Sequence, residues 1–257
     1  MPPPTLTLTT DFGLADHYAG VMKGVILGIC PKARIVDISH EVTPYAIAEG
    51  GYLIAQSYRY FPRGTVHVVV VDPGVGSERR AIVAEAAGQM FVAPDNGVLS
   101  MVLAREKHRV RAIENDRYFF HPVSRTFHGR DIFAPVAAHL ASGVRPARVG
   151  KTVADAVRAE FAAARASGKG TWRGTVLHVD RFGNIVTNFA SEEFPVVSQV
   201  AVGRLTARRV VESYDEADSG EAVVIAGSSG YLEISIKQAS AARKAGCRVG
   251  DACRIRV

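Results

Sequence analysis

"TVHVVVVDPGVGSERR", residues 65–80, contains the transition on which the reading of this chain turns. Thr65–Val71 is a β-branched run broken only by His67, the pattern of a strand covered on both faces. Asp72 ends it, Pro73, Gly74 and Gly76 turn the chain, and Arg79 and Arg80 follow. A single Asp–Arg pair of this kind reads as a solvated turn closed by a surface ion pair. It reads differently if the strand belongs to an open α/β sheet, because such sheets bind ligands beyond the carboxyl ends of their strands.

The flanking sequence supplies that sheet. "LTLTTDF" (Leu6–Phe12) is a strand, and "DHYAGVMKGVILGIC" (Asp16–Cys30) a helix with Asp16 as its expected cap. "ARIVDISH" is a second strand, and "AIAEGGYLIAQSYRYF" (Ala46–Phe61) a helix. "AIVAEAAG" and "QMFVAPDN" form an expected hairpin, "GVLSMVLAREK" a short helix, and "GRDIFAPVAAHLASG" (Gly129–Gly143) a helix that Pro135 either kinks or begins. Strand–helix alternation with continuous apolar strands predicts an α/β domain with a mostly parallel sheet over residues 1–165. "RAEFAAARASGKG" (Arg158–Gly170) reads as a linker. Beyond it, "GTVLHVD", "NIVTNF", "QVAVGRLTARRVVESY", "EAVVIAG", "YLEISI" and "CRIRV" predict a smaller all-β, barrel-like domain over residues 171–257.

Bulk properties narrow the function classes. The chain has 257 residues, 47% of them hydrophobic, enough for a substantial core. Lys+Arg exceed Asp+Glu by 31 − 25 = 6. The basic residues are scattered, so no nucleic-acid surface is expected. No apolar stretch approaches the roughly 18 residues of a membrane span, and no signal peptide is visible. Three cysteines without a CxxC pair suggest reduced thiols, and the expected location is the cytoplasm.

Polar residues recur where strands end. Asp11 lies in "TTDFG", Asp72 in the opening stretch, Asp95 and Asn96 in "APDNG", His128 in "TFHGRD", Asp180 and Asn184 in "VDRFGN", and Ser228 and Ser229 in "GSSGYLE", with Glu233 just beyond. Six such sites exceed what chance surface turns supply. "DFG" is not a kinase motif here, since no glycine-rich phosphate loop or HRD-type loop accompanies it. Asp11, Asp16, His17, His40 and His128 are metal-ligand types, but no HxH or HExxH spacing joins them, so no metal is expected. His67, inside an apolar strand, reads as a satisfied buried histidine.

"LTTDFGLADHYAGVMKG", "VDPGVGSERR", "APDNGVLS", "TFHGRDIFAPVAAHLA" and "VDRFGNIVTN" occur in order between Thr7 and about Ala242. Together they resemble the S-adenosylmethionine hydroxide adenosyltransferases, the S-adenosylmethionine hydrolases related to bacterial fluorinase and chlorinase. That resemblance implies a homotrimer with active sites between the α/β domain of one subunit and the β domain of its neighbour. It implies hydrolysis of S-adenosyl-L-methionine to adenosine and L-methionine, without cofactor or metal, by a catalytic set corresponding to Asp72, Arg79 and His128. By the same resemblance Asp11 binds the ribose, Asp16 lies near the methionine moiety, and Phe182 and Asn184 meet adenine. Asp180 and Ser228 hold the amino-acid end, and Asp95, Asn96, Ser229 and Glu233 complete the substrate contacts. The halogenases carry an arginine after the serine, where this chain has Ser229, and an extra first-domain loop not found here. Both departures favour hydrolysis over a halide-dependent adenosyltransferase or a non-catalytic adenosine- or S-adenosylmethionine-binding protein. The residues leave open whether hydroxide is stabilised by Arg79 and His128 or generated by a general base.

Overall fold

A computed structural model describes residues 2–257 and divides the chain into two compact units, one running to Ala159 and the other spanning Glu160–Val257. In the first, seven strands form one sheet: β1 (Thr5–Thr10), β2 (Arg34–Ser39), β3 (Val66–Val70), β4 (Ala81–Ala86), β5 (Gln89–Pro94), β6 (His108–Ala112) and β7 (Thr152–Val153). Their order is β2-β1-β3-β5-β4-β6-β7. The four strands β2, β1, β3 and β5 are parallel, while β4 runs antiparallel to both β5 and β6. The expected hairpin between β4 and β5 is present.

This order places the functional loops. From β1 the chain crosses to β2 on one side and returns to β3 on the other. The reversal opens a crevice beyond the carboxyl ends of β1 and β3, where an open α/β sheet binds its ligands. Asp11 follows β1 and Asp72 lies just beyond β3.

Helices α1 (Tyr18–Ile29), α2 (Ile47–Ser57), α3 (Ser100–Arg105) and α4 (Ala134–Ala141) flank the sheet. Leu6 and Leu8 of β1 and Val66, Val68 and Val70 of β3 share a core with Met22 and Ile26 of α1 and Val136, Ala137 and Leu140 of α4. Alternation along the strands sends these residues to one face and Thr7 and His67 to the other. The expected cap of α1 is corrected: His17 occupies the N-cap position without a side-chain cap bond, and Asp16 precedes it, exposed. The helix expected over residues 129–143 is compound, a π-turn (Gly129–Phe133) running into α4. Pro135 lies in the first turn of α4 and has no N–H for the Asp131 carbonyl, which accepts instead from Phe120 N at 2.8 Å.

His67 is inaccessible and fully partnered. Gln89 donates its amide to the carbonyls of Tyr58 and Phe61, which leaves its oxygen to accept from His67 Nε2, while Thr7 Oγ1 meets Nδ1 at 2.7 Å. Burial, the larger effect, depresses its pKa from 6.5 to about 4. The unfolded chain therefore binds more protons between those values, and stability falls as pH drops through that window. The expected contribution is about 3 kcal/mol. Urea titrations at pH 7 and pH 4 check it: His67→Gln starts less stable but loses less on acidification, and equal losses would contradict the linkage.

The second unit contains β8 (Arg165–Gly168), β9 (Thr171–Val179), β10 (Ile185–Ala190), β11 (Gln199–Val202), β12 (Leu205–Ala207), β13 (Arg209–Val211), β14 (Ala222–Ala226), β15 (Tyr231–Ile236), α5 (Ala241–Ala245) and β16 (Ala252–Arg256). The strand order is β12-β11-β16-β9-β10-β15-β14-β13, with β8 also on β9. β12 approaches β14 as well, curling the sheet into a barrel-like form around Val176, Phe189, Val200, Ile234 and Ile255. Two sequence readings differ in detail. The Ala- and Gly-rich connector contributes β8, and "QVAVGRLTARRVVESY" is three short strands because a two-residue turn at Gly203–Arg204 pairs Val202 with Leu205.

Candidate active site

The loop from Asp72 to Arg80 folds back on its own strand. Arg79 Nε donates to Asp72 Oδ1 at 3.0 Å and Nη2 donates to Oδ2, a two-pronged grip that fixes the guanidinium plane. Nη2 also donates to His128 Nδ1, at 2.8 Å. The Asp72 and Arg79 side chains are largely buried, and the Arg79 guanidinium carbon lies 5.2 Å from the centre of the Phe133 ring. Gly76 makes the fold-back possible. Its φ is +78°, and a Cβ there would lie 2.3 Å from the Arg125 carbonyl oxygen, so only glycine lets the loop close on the segment before His128.

These contacts assign the state of His128. A guanidinium only donates, so Nδ1 accepts and the proton of the neutral ring sits on Nε2. Burial first, and the Arg79 charge second, hold its pKa below the ordinary imidazole value; Asp72 and Asp131 oppose them.

Asp72 and His128 face a cavity of about 360 Å³ at the β1/β3 crevice, whose walls include Asp11, Phe12, Tyr18, Tyr45 and Phe127. Asp11 accepts from Tyr45 N at 2.9 Å through Oδ2. Burial pushes its pKa up, with the Asp72 charge as a smaller contribution in the same direction, against the Tyr45 N–H. Phe12, Tyr18 and Phe127 pack edge-on or tilted with ring centres 5.0–5.9 Å apart. Sequence reasoning missed Tyr45 and this aromatic wall. Tyr45 stands 73% exposed with φ +68°, a conformation no local sequence signal announces.

Other expected positions fall elsewhere in this unit. Asp95 is buried with Oδ2 accepting from Arg80 at 2.7 and 3.0 Å and Oδ1 from Val157 N, and it does not line the cavity. Asn96 bonds the Val71 carbonyl and Val98 N, also outside the lining. The two arginines thus divide their work: Arg79 serves Asp72, and Arg80 ties Asp95 to Asp155. Asp16 is exposed and outside the cavity wall. His40 meets Thr10 Oγ1 at 2.8 Å and lies 3.1 Å from Asp37. Among the described residues no three His, Cys, Asp or Glu side chains converge as a metal-ligand set.

The second unit has its own cavity, of about 690 Å³, lined in part by Asp180, Phe182, Asn184, Tyr214 and Arg243. Asp180 Oδ1 accepts from Phe182 N and Asn184 N, and Oδ2 from Asn184 Nδ2 at 2.8 Å. That tight turn displays Phe182, which is 80% exposed. Gly183 closes it with φ +87° against Ser240, whose Oγ would lie 2.1 Å from a Cβ. Glu233 is buried and accepts from the Tyr214 hydroxyl at 3.1 Å. Burial, chiefly, raises the pKa of both, Tyr214 to about 12. Ser228 is exposed, whereas Ser229 Oγ is buried without a hydrogen-bond partner among the described residues.

A switch-point crevice holding a carboxylate–guanidinium–imidazole set, followed by a barrel-like β unit, defines a two-unit α/β protein with an enzyme-like polar site. Residues 6–150 match the SAM hydroxide adenosyltransferase N-terminal domain and residues 174–254 match the C-terminal domain, so the chain belongs to that family. It is 37% identical over 259 residues to an (R)-S-adenosyl-L-methionine hydrolase of Salinispora tropica, covering 99% of this chain and 98% of the relative. The corresponding protein of Thermus thermophilus is 36% identical, covering 96% and 97%. A fluorinase of an Actinoplanes species is 26% identical over 90% of each chain. The fold is similar to the crystal structure of an uncharacterized conserved protein from Thermotoga maritima, with TM-score 0.87 and 39% identity over 98% of this chain and 100% of the other.

Proposed function

We propose that this protein hydrolyses S-adenosyl-L-methionine to adenosine and L-methionine by attack of water or hydroxide at the ribose C5′. The observation that carries the reading is the Asp72–Arg79–His128 set at the cavity between the ends of β1 and β3, with Asp11 beside it. The sulfonium leaves as a neutral thioether, so no general acid is needed. The difficulty lies with the nucleophile, since water itself ionises with a pKa of about 15.7.

The hydrogen bonds favour stabilisation over general-base catalysis. His128 Nδ1 is already occupied by Arg79, and Nε2 carries the proton, so the neutral ring has no free basic nitrogen. Both Asp72 oxygens accept from Arg79, which makes Asp72 the orienting group. The Arg79 bonds described use three of its five N–H groups. Arg79 is not itself among the residues lining the cavity, and the remaining pair on Nη1 is the donor we assign to the attacking oxygen. Fixed donors of this kind act most strongly where water is excluded. The proton released by the net reaction goes to solvent.

The remaining roles follow the resemblance. Asp11 accepts from the ribose hydroxyls and Asp16 lies near the methionine moiety, while Asp95 and Asn96, whose polar atoms bond Arg80 and the backbone, support the cavity from outside its wall. In the second unit, Phe182 and Asn184 serve the purine and Asp180 and Ser228 the amino-acid end, with Ser229 and Glu233 as further substrate contacts. The hydrolases named for the (R) epimer are more similar to this chain than the fluorinases, which supports that epimer as substrate and water as nucleophile. The uncharged Ser229 at the halogenase arginine position supports the same choice. A homotrimer in the cytoplasm completes the proposal. No described helix is long and apolar enough to cross a membrane.

The experiment follows products by chromatography and mass spectrometry after chelator treatment, with and without chloride. Adenosine and methionine form in both, and Asp72→Ala lowers turnover on the order of 10³-fold. A chloride-dependent 5′-chloroadenosine, or intact bound substrate, overturns the reading.

A further inference from the structure

Asp131 is wholly inaccessible and lies three residues beyond His128, yet nothing in the reaction uses it. A buried carboxylate is costly unless its oxygens are matched. Here both are. Oδ1 accepts from Arg130 Nε at 2.5 Å, and Oδ2 accepts from Arg130 Nη2 at 3.1 Å and from Ser124 N at 2.8 Å. Ser124 in turn receives Phe127 N on its hydroxyl at 3.0 Å. The backbone N–H of Asp131 reaches the Phe127 carbonyl at 3.1 Å, and its own carbonyl takes Phe120 N, the donor that stands in for the one Pro135 lacks. One residue therefore ties together the segment before His128 and the π-turn after it. Such turns are frequent at functional sites.

We propose, resting on the hydrolase reading, that Asp131 is a positioning residue for His128: its carboxylate clamps Ser124 and the π-turn, and so fixes the imidazole against Arg79. Its charge also acts on the ring. Asp72 and Arg79 face His128 from the loop after β3, Asp131 with its partner Arg130 from the π-turn, and Asp11 and Tyr18 across the cavity. Of these, Asp72 and Asp131 favour the protonated ring and Arg79 opposes it, and the Ser124 backbone adds a hydrogen bond that favours protonation. Removing the Asp131 charge therefore moves the His128 titration to lower pH, which a purely structural residue would not do.

The test combines kinetics with an NMR titration of the His128 imidazole in the full-length protein. Asp131→Asn keeps an acceptor for Ser124 N but not the charge. It is expected to lower kcat on the order of 10²-fold with KM changed less than about two-fold, and to move the His128 midpoint down. Should Asp131→Asn fail to fold, Arg130→Met releases the carboxylate from a partly exposed partner and is expected to lower kcat by about ten-fold at constant KM. An unchanged midpoint with unchanged kcat in a folded Asp131→Asn, or unchanged kcat in Arg130→Met, overturns the proposal. Wild-type protein that does not hydrolyse the substrate overturns the functional reading instead, and the titration then still decides whether Asp131 and His128 are coupled.

Discussion

Arg79→Lys is expected to lower kcat/KM on the order of 10³-fold while leaving the first unit folded. Arginine grips Asp72 through two nitrogens and spends a third N–H on His128 Nδ1. Lysine keeps the positive charge but carries one nitrogen on a flexible stem, and it cannot present a planar fork to a carboxylate and an imidazole together. With Nδ1 released, the imidazole is free to take the other tautomer and to leave its place against Arg79. The predicted pattern is a fall in kcat with a much smaller change in KM, since the donors matter most as the C5′–oxygen bond forms. Circular dichroism and steady-state kinetics on the same preparation check it. A variant within about ten-fold of wild type would mean that charge alone suffices and that the fork is incidental.

Gly76→Val has the second large effect. The residue sits at φ +78°, a region costly for any β-branched side chain, and its Cβ would press on the Arg125 backbone. The loop must therefore move, and it carries Arg79 three residues on. We expect a loss of about 2 kcal/mol or more of stability, with kcat lowered on the order of 10²-fold by misplacement of the guanidinium. Gly74→Ala is the internal control. Gly74 has no positive φ, and the nearest atoms to a Cβ there are 3.4 Å and 3.5 Å away, both in side chains. That variant should lie within about 1 kcal/mol of wild type. Urea unfolding of both variants separates the outcomes, and equal stabilities would show that the loop adapts.

Much of this site was legible because it obeys local rules. The run Thr65–Val71 ends in Asp72, the glycines mark a turn, and the seven-residue interval to Arg79 is short enough for the chain to return. What the sequence could not carry was pairing. The order β2-β1-β3-β5 places Asp11 and Asp72 at one switch point, and that depends on which strands find each other across sixty residues. Arg79 and Arg80 are adjacent and chemically identical, yet one binds Asp72 and the other Asp95, a division set by side-chain direction in the folded loop. Asp95 and Asn96 show the limit of strand-end reasoning. They sit after β5 as expected, but their polar atoms close backbone and arginine contacts outside the cavity wall. Pro135 marks an irregularity in the helix expected over residues 129–143, but not the π-turn after His128, whose bonds to Ser124 and Phe120 are tertiary. In the second unit, the Asp180–Asn184 turn was recognisable from "VDRFGN", whereas the Tyr214–Glu233 contact joins separate elements with no periodic signal.

The central claim is that a water-derived oxygen attacks C5′ of the sulfonium substrate. The most direct measurement is turnover in ¹⁸O-enriched water, with mass analysis of both products. One ¹⁸O is expected in the 5′-hydroxyl of adenosine and none in methionine. Unlabelled adenosine, or methylthioadenosine accompanied by a labelled amino-acid fragment, would contradict it.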